Sequence, residues 1–181
     1  MKQALPLTLV CAALAAPLAA QSDAPLSVAA QADALAIAEQ LYSQARHATD
    51  PTDKTLSMRR AAELFADYQR RFPSSPQRQK AMYYQALCLA EAGDLAASNE
   101  KLGALANTTH GEYAAAAAYK LATQAYSRQM WDKALGFYRI AARETQRPEL
   151  RHDSMYRCGN VQMQLGRRKD AEETFHSLQV I

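Results

Sequence analysis

The chain has 181 residues, 49% apolar and 22% charged, with 21 lysines and arginines against 18 acids for a net charge of +3. That composition excludes wholesale disorder, and so small a positive excess does not point to a nucleic-acid partner. Alanine is abundant, β-branched residues are sparse, and the few Gly and Pro sit mainly between periodic segments, so the local preference is helical throughout.

Residues 1–20 read as a secretory signal peptide. Lys2 gives a positive start, an apolar run from Leu5 to Leu18 is interrupted by Pro6 and Pro17, and Leu18-Ala19-Ala20 ends it in small residues before Gln21-Ser22-Asp23. The run is too short and too rich in alanine to cross ~30 Å of hydrocarbon, so the expectation is export without a membrane span. Cys11 follows Val10 rather than a small residue, which argues against lipidation. Cleavage after Ala20 removes one base, Lys2, and leaves 20 bases against 18 acids.

Residues 21–30 read as a flexible leader. A first helix is predicted from about 31 to 47, with Leu35, Ala38, Leu41, Tyr42 and Ala45 in an apolar stripe. The turn Asp50-Pro51-Thr52-Asp53 breaks it, and Thr52 or Asp53 is expected to cap a second helix ending at Arg71. In Phe72-Pro73-Ser74-Ser75-Pro76, Ser75 is the expected N-cap and Pro76 the first helical residue of the third. That helix reaches Ala92, Gly93 closes it in the left-handed conformation, and Asp94 starts its partner. The polar loop 107–111 leads to helices over about 112–128 and 131–144. After Pro148 a helix runs to Leu165, Gly166 closes it, and the last helix runs from about Lys169 to the terminus. The fold class expected is all-α, with four hairpins at about 31–73, 75–106, 112–145 and 149–181.

The hairpins repeat. Ala61, Ser98, Ala134 and Ala171 are spaced by 37, 36 and 37 positions. Each is followed four residues on by a bulky apolar residue (Phe65, Leu102, Tyr138, Phe175) and three further on by Tyr68, Leu105, Ala141 or Leu178. Offsets of 0, 4 and 7 share one helix face. A second register places small residues at Ala86, Ala122 and Gly159, each preceded three positions earlier by Tyr83, Tyr119 or Tyr156. Cys88 and Cys158 fall two repeats apart, too far for a disulfide, and are expected to be buried free thiols.

These residues resemble a tetratricopeptide repeat. The likeness is carried by Met82 to Leu105 with Ala86, Leu89, Gly93 and Leu95 in register, by Leu121-Ala122 through Tyr138 and Ala141, and by Cys158-Gly159 through Phe175. Ala61, Phe65, Tyr68 and Pro73 match the second half of an earlier copy, so the resemblance covers about 31–181. The period departs from the ~34 residues of that repeat, Met82, Ala118 and Met155 replace the usual aromatic, and the closing proline is clear only at Pro73. Long repeats behind a signal peptide are similar to the envelope branch of the family, with its outer-membrane assembly lipoprotein and TolA-binding periplasmic protein.

The resemblance implies a right-handed superhelix, an α-solenoid of about four hairpins, whose first helices line a concave groove that binds a protein or peptide. The groove-facing positions it implies are Lys80, Tyr83, Leu87 and Glu91, then Tyr119, Thr123 and Tyr126, then Tyr156, Asn160 and Met163. Tyr83, Tyr119 and Tyr156 would form a ladder of interface anchors. Arg139, Arg143, Arg147 and Arg151, spaced by four, are expected on the outward face of a second helix.

No catalytic site, metal or cofactor is expected. His47, His110, His152 and His176 lack ligand spacing, and no phosphate loop or nucleophile elbow is present. The reading is therefore an exported, non-enzymatic adaptor of the cell envelope. The alternative is a structural end module that self-associates through residues 168–181, because Phe175, Leu178, Val180 and Ile181 end the chain without a polar capping helix.

Overall fold

A computed structural model describes residues 28–178. The predicted signal peptide, residues 21–27 of the predicted leader, and Val180 and Ile181 lie outside them. Among the described residues there are eight helices and no strand: α1 (Val28–His47), α2 (Pro51–Arg71), α3 (Arg78–Glu91), α4 (Leu95–Thr108), α5 (Glu112–Ser127), α6 (Trp131–Glu144), α7 (Pro148–Gln164) and α8 (Arg168–Leu178). The protein is all-α. Residues 28–30, expected in the leader, form the first turn of α1. No helix among the described residues is long and apolar enough to cross a membrane.

Three of the helix-to-helix turns are built alike. Gly93 N–H donates to Ala90 O at 3.1 Å and Asp94 N–H to Leu89 O at 2.9 Å. The same two bonds recur as Gln129 to Tyr126 and Met130 to Ala125, both 2.9 Å, and as Gly166 to Met163 at 3.0 Å and Arg167 to Gln162 at 2.8 Å. This pairing satisfies the last carbonyls of a helix and requires a left-handed residue at its hinge. Gly93 and Gly166 supply it with φ of +91° and +72°, but the middle turn uses Gln129 at φ +58°. A side chain there is strained by roughly 1–2 kcal/mol, only part of which is offset by the greater chain entropy that glycine would lose. Gln129→Gly is therefore expected to raise thermal stability by up to about 1 kcal/mol, measured as an upward shift of the helical melting curve; a lower melting temperature would contradict this account.

Two caps differ from expectation. Asp50, not Thr52 or Asp53, caps α2 by accepting from Asp53 N–H at 2.8 Å, which leaves Pro51 in the first turn where its missing N–H costs nothing. Ser75 does not cap α3, which begins at Arg78. Its hydroxyl is instead 2.6 Å from Tyr68 Oη and accepts from Gln77 N–H at 3.2 Å, so it ties the α2–α3 linker to the end of α2.

The small residues of both repeating registers are buried. Ala61, Ser98, Ala134 and Ala171 are inaccessible, as are Phe65, Leu102 and Tyr138 four residues on; Phe175 is half-buried. Ser98 Oγ donates to Ala86 O at 2.8 Å, joining the two registers across one hairpin. The apolar side chains fall into three successive cores. Phe65, Tyr68 and Met58 of α2 meet α1 and Cys88 of α3 in the first. Leu102 and Leu105 of α4 meet Ala86 of α3, Leu121 of α5 and Ala141 of α6 in the second. Tyr138 and Leu135 of α6 meet Ala122 of α5 and Val161 of α7 in the third. Each large side chain buried this way contributes ~1.5–3 kcal/mol. Every helix packs chiefly on the one before it and the one after it, and α3 also touches α5. Cys88 and Cys158 are free and buried, and burial pushes their thiols up to about 12 and about 11 respectively.

Candidate binding groove

The first helices of the last three hairpins, α3, α5 and α7, line an open cavity of about 420 Å³. One face of α5 forms its floor. Ala116, Lys120 and Thr123 stand at offsets 0, 4 and 7, with Tyr119 and Gln124 beside them. Tyr83 of α3 closes one side, and Arg147 with Leu150 at the start of α7 closes the other.

The tyrosines are fixed by their neighbours. Tyr83 lies edge-on to Tyr84 at 5.8 Å between ring centroids and tilted against Tyr113 at 5.9 Å. Tyr119 meets the buried Tyr138 edge-on at 5.7 Å, and its hydroxyl donates to the Asp153 carboxylate of α7. Asp153 also accepts from Arg157 Nε at 3.0 Å, and that guanidinium sits 5.5 Å from the centre of the Tyr119 ring. Burial first, and then the bond to Asp153, push the Tyr119 hydroxyl up to about 12, so it stays a protonated donor. Its polar tip is therefore committed to bridging α5 and α7, and what it offers a ligand is ring surface.

The charge left in the cavity is positive. Lys120 is half-buried and forms no ion pair among the described residues. Arg147 donates through Nε to Glu112 at 3.1 Å and remains largely exposed. Among the described residues no acidic side chain lines the cavity. An apolar and aromatic floor with cations on it suits a segment that brings both an apolar side chain and a carboxylate. Among the described residues, no cluster of His, Cys, Asp or Glu is arranged to hold a metal ion.

Comparison with protein-family models, curated proteins and solved structures gives no match to this chain. The geometry of its own residues therefore carries the reading.

Of the ten residues expected to face a groove, Tyr83, Tyr119 and Thr123 line this cavity together. Tyr156, Asn160 and Met163 continue the row on α7 outside it; Tyr156 and Met163 are 50% and 46% exposed, and the Tyr156 ring leans on Phe175 at 5.8 Å. The other four are occupied elsewhere. Lys80 pairs with Glu39 of α1 at 2.6 Å and Glu91 with Lys54 of α2 at 3.0 Å, Leu87 packs on the first core, and Tyr126 stacks edge-on against Trp131 at 5.1 Å.

Sequence reasoning missed Ala116, Lys120, Gln124, Arg147 and Leu150. Lys120 and Gln124 were within reach, because they sit one and five positions beyond Tyr119. Arg147 was misassigned. The arginines spaced by four do not share a helix: Arg139 and Arg143 are on α6, which ends at Glu144, whereas Arg147 is the N-cap residue of α7 and Arg151 lies within it. Thr145 takes an extended backbone at the break, so the spacing loses its helical meaning there.

Proposed function

We propose that this chain is a tetratricopeptide-type repeat protein, an exported adaptor of the cell envelope that binds a protein or peptide in the groove of α3, α5 and α7. The observation that carries the reading is the cavity itself. It lies between equivalent helices of neighbouring hairpins, holds three of the ten expected groove-facing positions, and leaves on its floor Lys120, unpaired among the described residues. Contacts between consecutive helices and the thrice-repeated turn support a solenoid in which each hairpin leans on the next. The right-handed superhelix, the export and the envelope setting rest on the resemblance and on the signal peptide read at residues 1–20.

Site-specific photocrosslinking tests this. A benzophenone side chain at Thr123 is expected to capture a discrete partner in cells, whereas the same group at Arg60, exposed on α2, captures none. Lys120→Glu should cancel the positive charge of the cavity lining and abolish the Thr123 adduct while helical circular dichroism persists. Equal capture from both positions, or an adduct indifferent to Lys120→Glu, would remove the groove from the proposal.

One observation favours the end-module alternative. α8 buries Ala171 fully but leaves Phe175 and Leu178 half-covered. Sedimentation of the chain across concentrations separates the two readings, since self-association lost on Leu178→Glu supports the module.

A further inference from the structure

A second cavity, of about 400 Å³, lies between α2, the start of α3 and α4, and shares no lining residue with the groove. Among the described residues three cations line it, Arg70, Arg78 and Lys101, and no acid does. Arg70 is held through one guanidinium nitrogen by Asp67 at 3.1 Å, but Arg78 and Lys101 form no ion pair among the described residues. Several cations at helix contacts elsewhere are matched: Lys80 by Glu39, Lys54 by Glu91, Arg157 by Asp153 and Arg167 by Asp132. Here Arg78 and Lys101 converge with no such partner among the described residues.

A buried amide faces the same space. Gln85 is only 9% exposed, yet it lines the cavity. Its Oε1 accepts from Gln69 Nε2 at 3.0 Å, and Gln69 Nε2 donates in turn to Phe65 O at 2.9 Å. With its oxygen already accepting from Gln69, Gln85 has the hydrogens of Nε2 to offer a ligand. α3 begins at Arg78, which lines the cavity, so the positive end of the helix dipole adds to the field.

We infer that this cavity is an oxyanion site that takes a phosphate group, gripped by Arg78 and Lys101 with Gln85 donating from below. Arginine presents its donors in a fork that matches tetrahedral oxyanions, and lysine adds a mobile point charge. The space exceeds that of a bare phosphate, so the group is borne on a larger molecule, either a soluble phosphoester or an anionic phospholipid headgroup. The site does not depend on the groove reading, because it involves different helix faces.

Backbone amide shifts during titration test it, with inorganic phosphate and glycerol phosphate as probes at ionic strength matched with chloride. Saturable shifts are expected at Arg78, Gln85 and Lys101, with Tyr83 and Lys120 unmoved. Arg78→Gln with Lys101→Gln should weaken binding at least tenfold; both side chains reach the surface, so the helical spectrum should be unchanged. Flotation with vesicles of phosphatidylglycerol and phosphatidylcholine, against phosphatidylcholine alone, assigns the source. Binding to the anionic vesicles that the double variant loses identifies a headgroup, and shifts with the soluble probes alone identify a phosphoester. No saturable shift together with no vesicle binding overturns the site, as does binding that the double variant retains.

Discussion

Gly159→Leu is expected to destabilise the protein by about 1–3 kcal/mol, which for a chain of this size lowers the melting temperature by roughly 3–10 °C. A Cβ placed on Gly159 would lie 2.4 Å from Phe175 Cε1, 2.6 Å from Cζ and 2.9 Å from Cδ1. Those distances are inside contact, so the ring must leave. Its departure would uncover Tyr156, against which Phe175 leans, and loosen α8 from α7. Opposing this, leucine or alanine in the middle of α7 recovers up to about 1 kcal/mol of helix propensity relative to glycine. Gly159→Ala should therefore cost less than Gly159→Leu. The decisive measurement is the pair Gly159→Leu with Phe175→Ala. If steric conflict is the cause, the second substitution returns part of the loss that the first imposes, a coupling absent when the two act independently. A leucine at position 159 that leaves the melting curve unmoved would contradict the register on which the fold was read.

The registers of small and bulky residues were legible because burial is periodic. A hairpin closes only where a small side chain lets two backbones approach, so Ala61, Ser98, Ala134 and Ala171 had to recur at the hairpin's period, with Phe65, Leu102 and Tyr138 one turn on. Hinges were legible only where glycine marks them. Gln129 performs the same turn as Gly93 and Gly166 with nothing in its chemistry to announce it; only its position in the period does.

The groove was half legible for a related reason. Tyr83, Tyr119 and Thr123 follow from the period, whereas Arg147 and Leu150 reach the cavity because α6 stops at Glu144 and the chain turns back. The polar partners were hidden altogether. Tyr119 to Asp153, His110 to Glu144 and Glu112 to Thr145 join residues 33 or 34 positions apart, close to one repeat. Apolar burial tolerates many sequences and so leaves a statistical trace, but a hydrogen bond depends on one pair of atoms meeting. The same holds for the phosphate cavity, whose cations come from three helices and share no spacing.

Acid is expected to open the joint between α5 and the α6–α7 turn before the rest of the fold. Two carboxylates hold that joint. Glu112 accepts from Thr145 Oγ1 at 2.9 Å, from Arg147 Nε at 3.1 Å and from Gln146 N–H. Glu144 is 8% exposed and accepts from Arg143 Nε at 2.7 Å, from His110 Nδ1 at 3.0 Å and from Gly111 N–H at 3.3 Å. Each carboxylate therefore meets backbone from the opposite side of the joint. Burial alone would raise the Glu112 carboxyl, but the bonds from Gln146, Thr145 and Arg147 together outweigh it and hold it below its ordinary 4.5. For Glu144 the bond from Arg143 is the largest influence; it outweighs burial, and His110 and Gly111 add to it, so this carboxyl too lies below 4.5.

A folded value below the unfolded one means that stability is fully present above pH about 5 and is lost as pH falls through the folded values. The wild-type chain should thus lose stability steeply below about pH 4.5, and Glu112→Gln with Glu144→Gln should flatten that limb while lowering stability at pH 7. Glu112→Ala should cost about 1–3 kcal/mol at neutral pH, because Thr145, wholly buried, and Gln146 N–H lose their shared acceptor. Hydrogen exchange locates the effect. On acidification, the amides of Gly111, Ala115, Gln146 and Arg151 should lose protection ahead of those in α2 and α3, and in the double glutamine variant they should be less protected already at neutral pH. If all helices lose protection together on acidification, and the double variant melts like the wild type at both ends of the range, the two glutamates do not hold this joint.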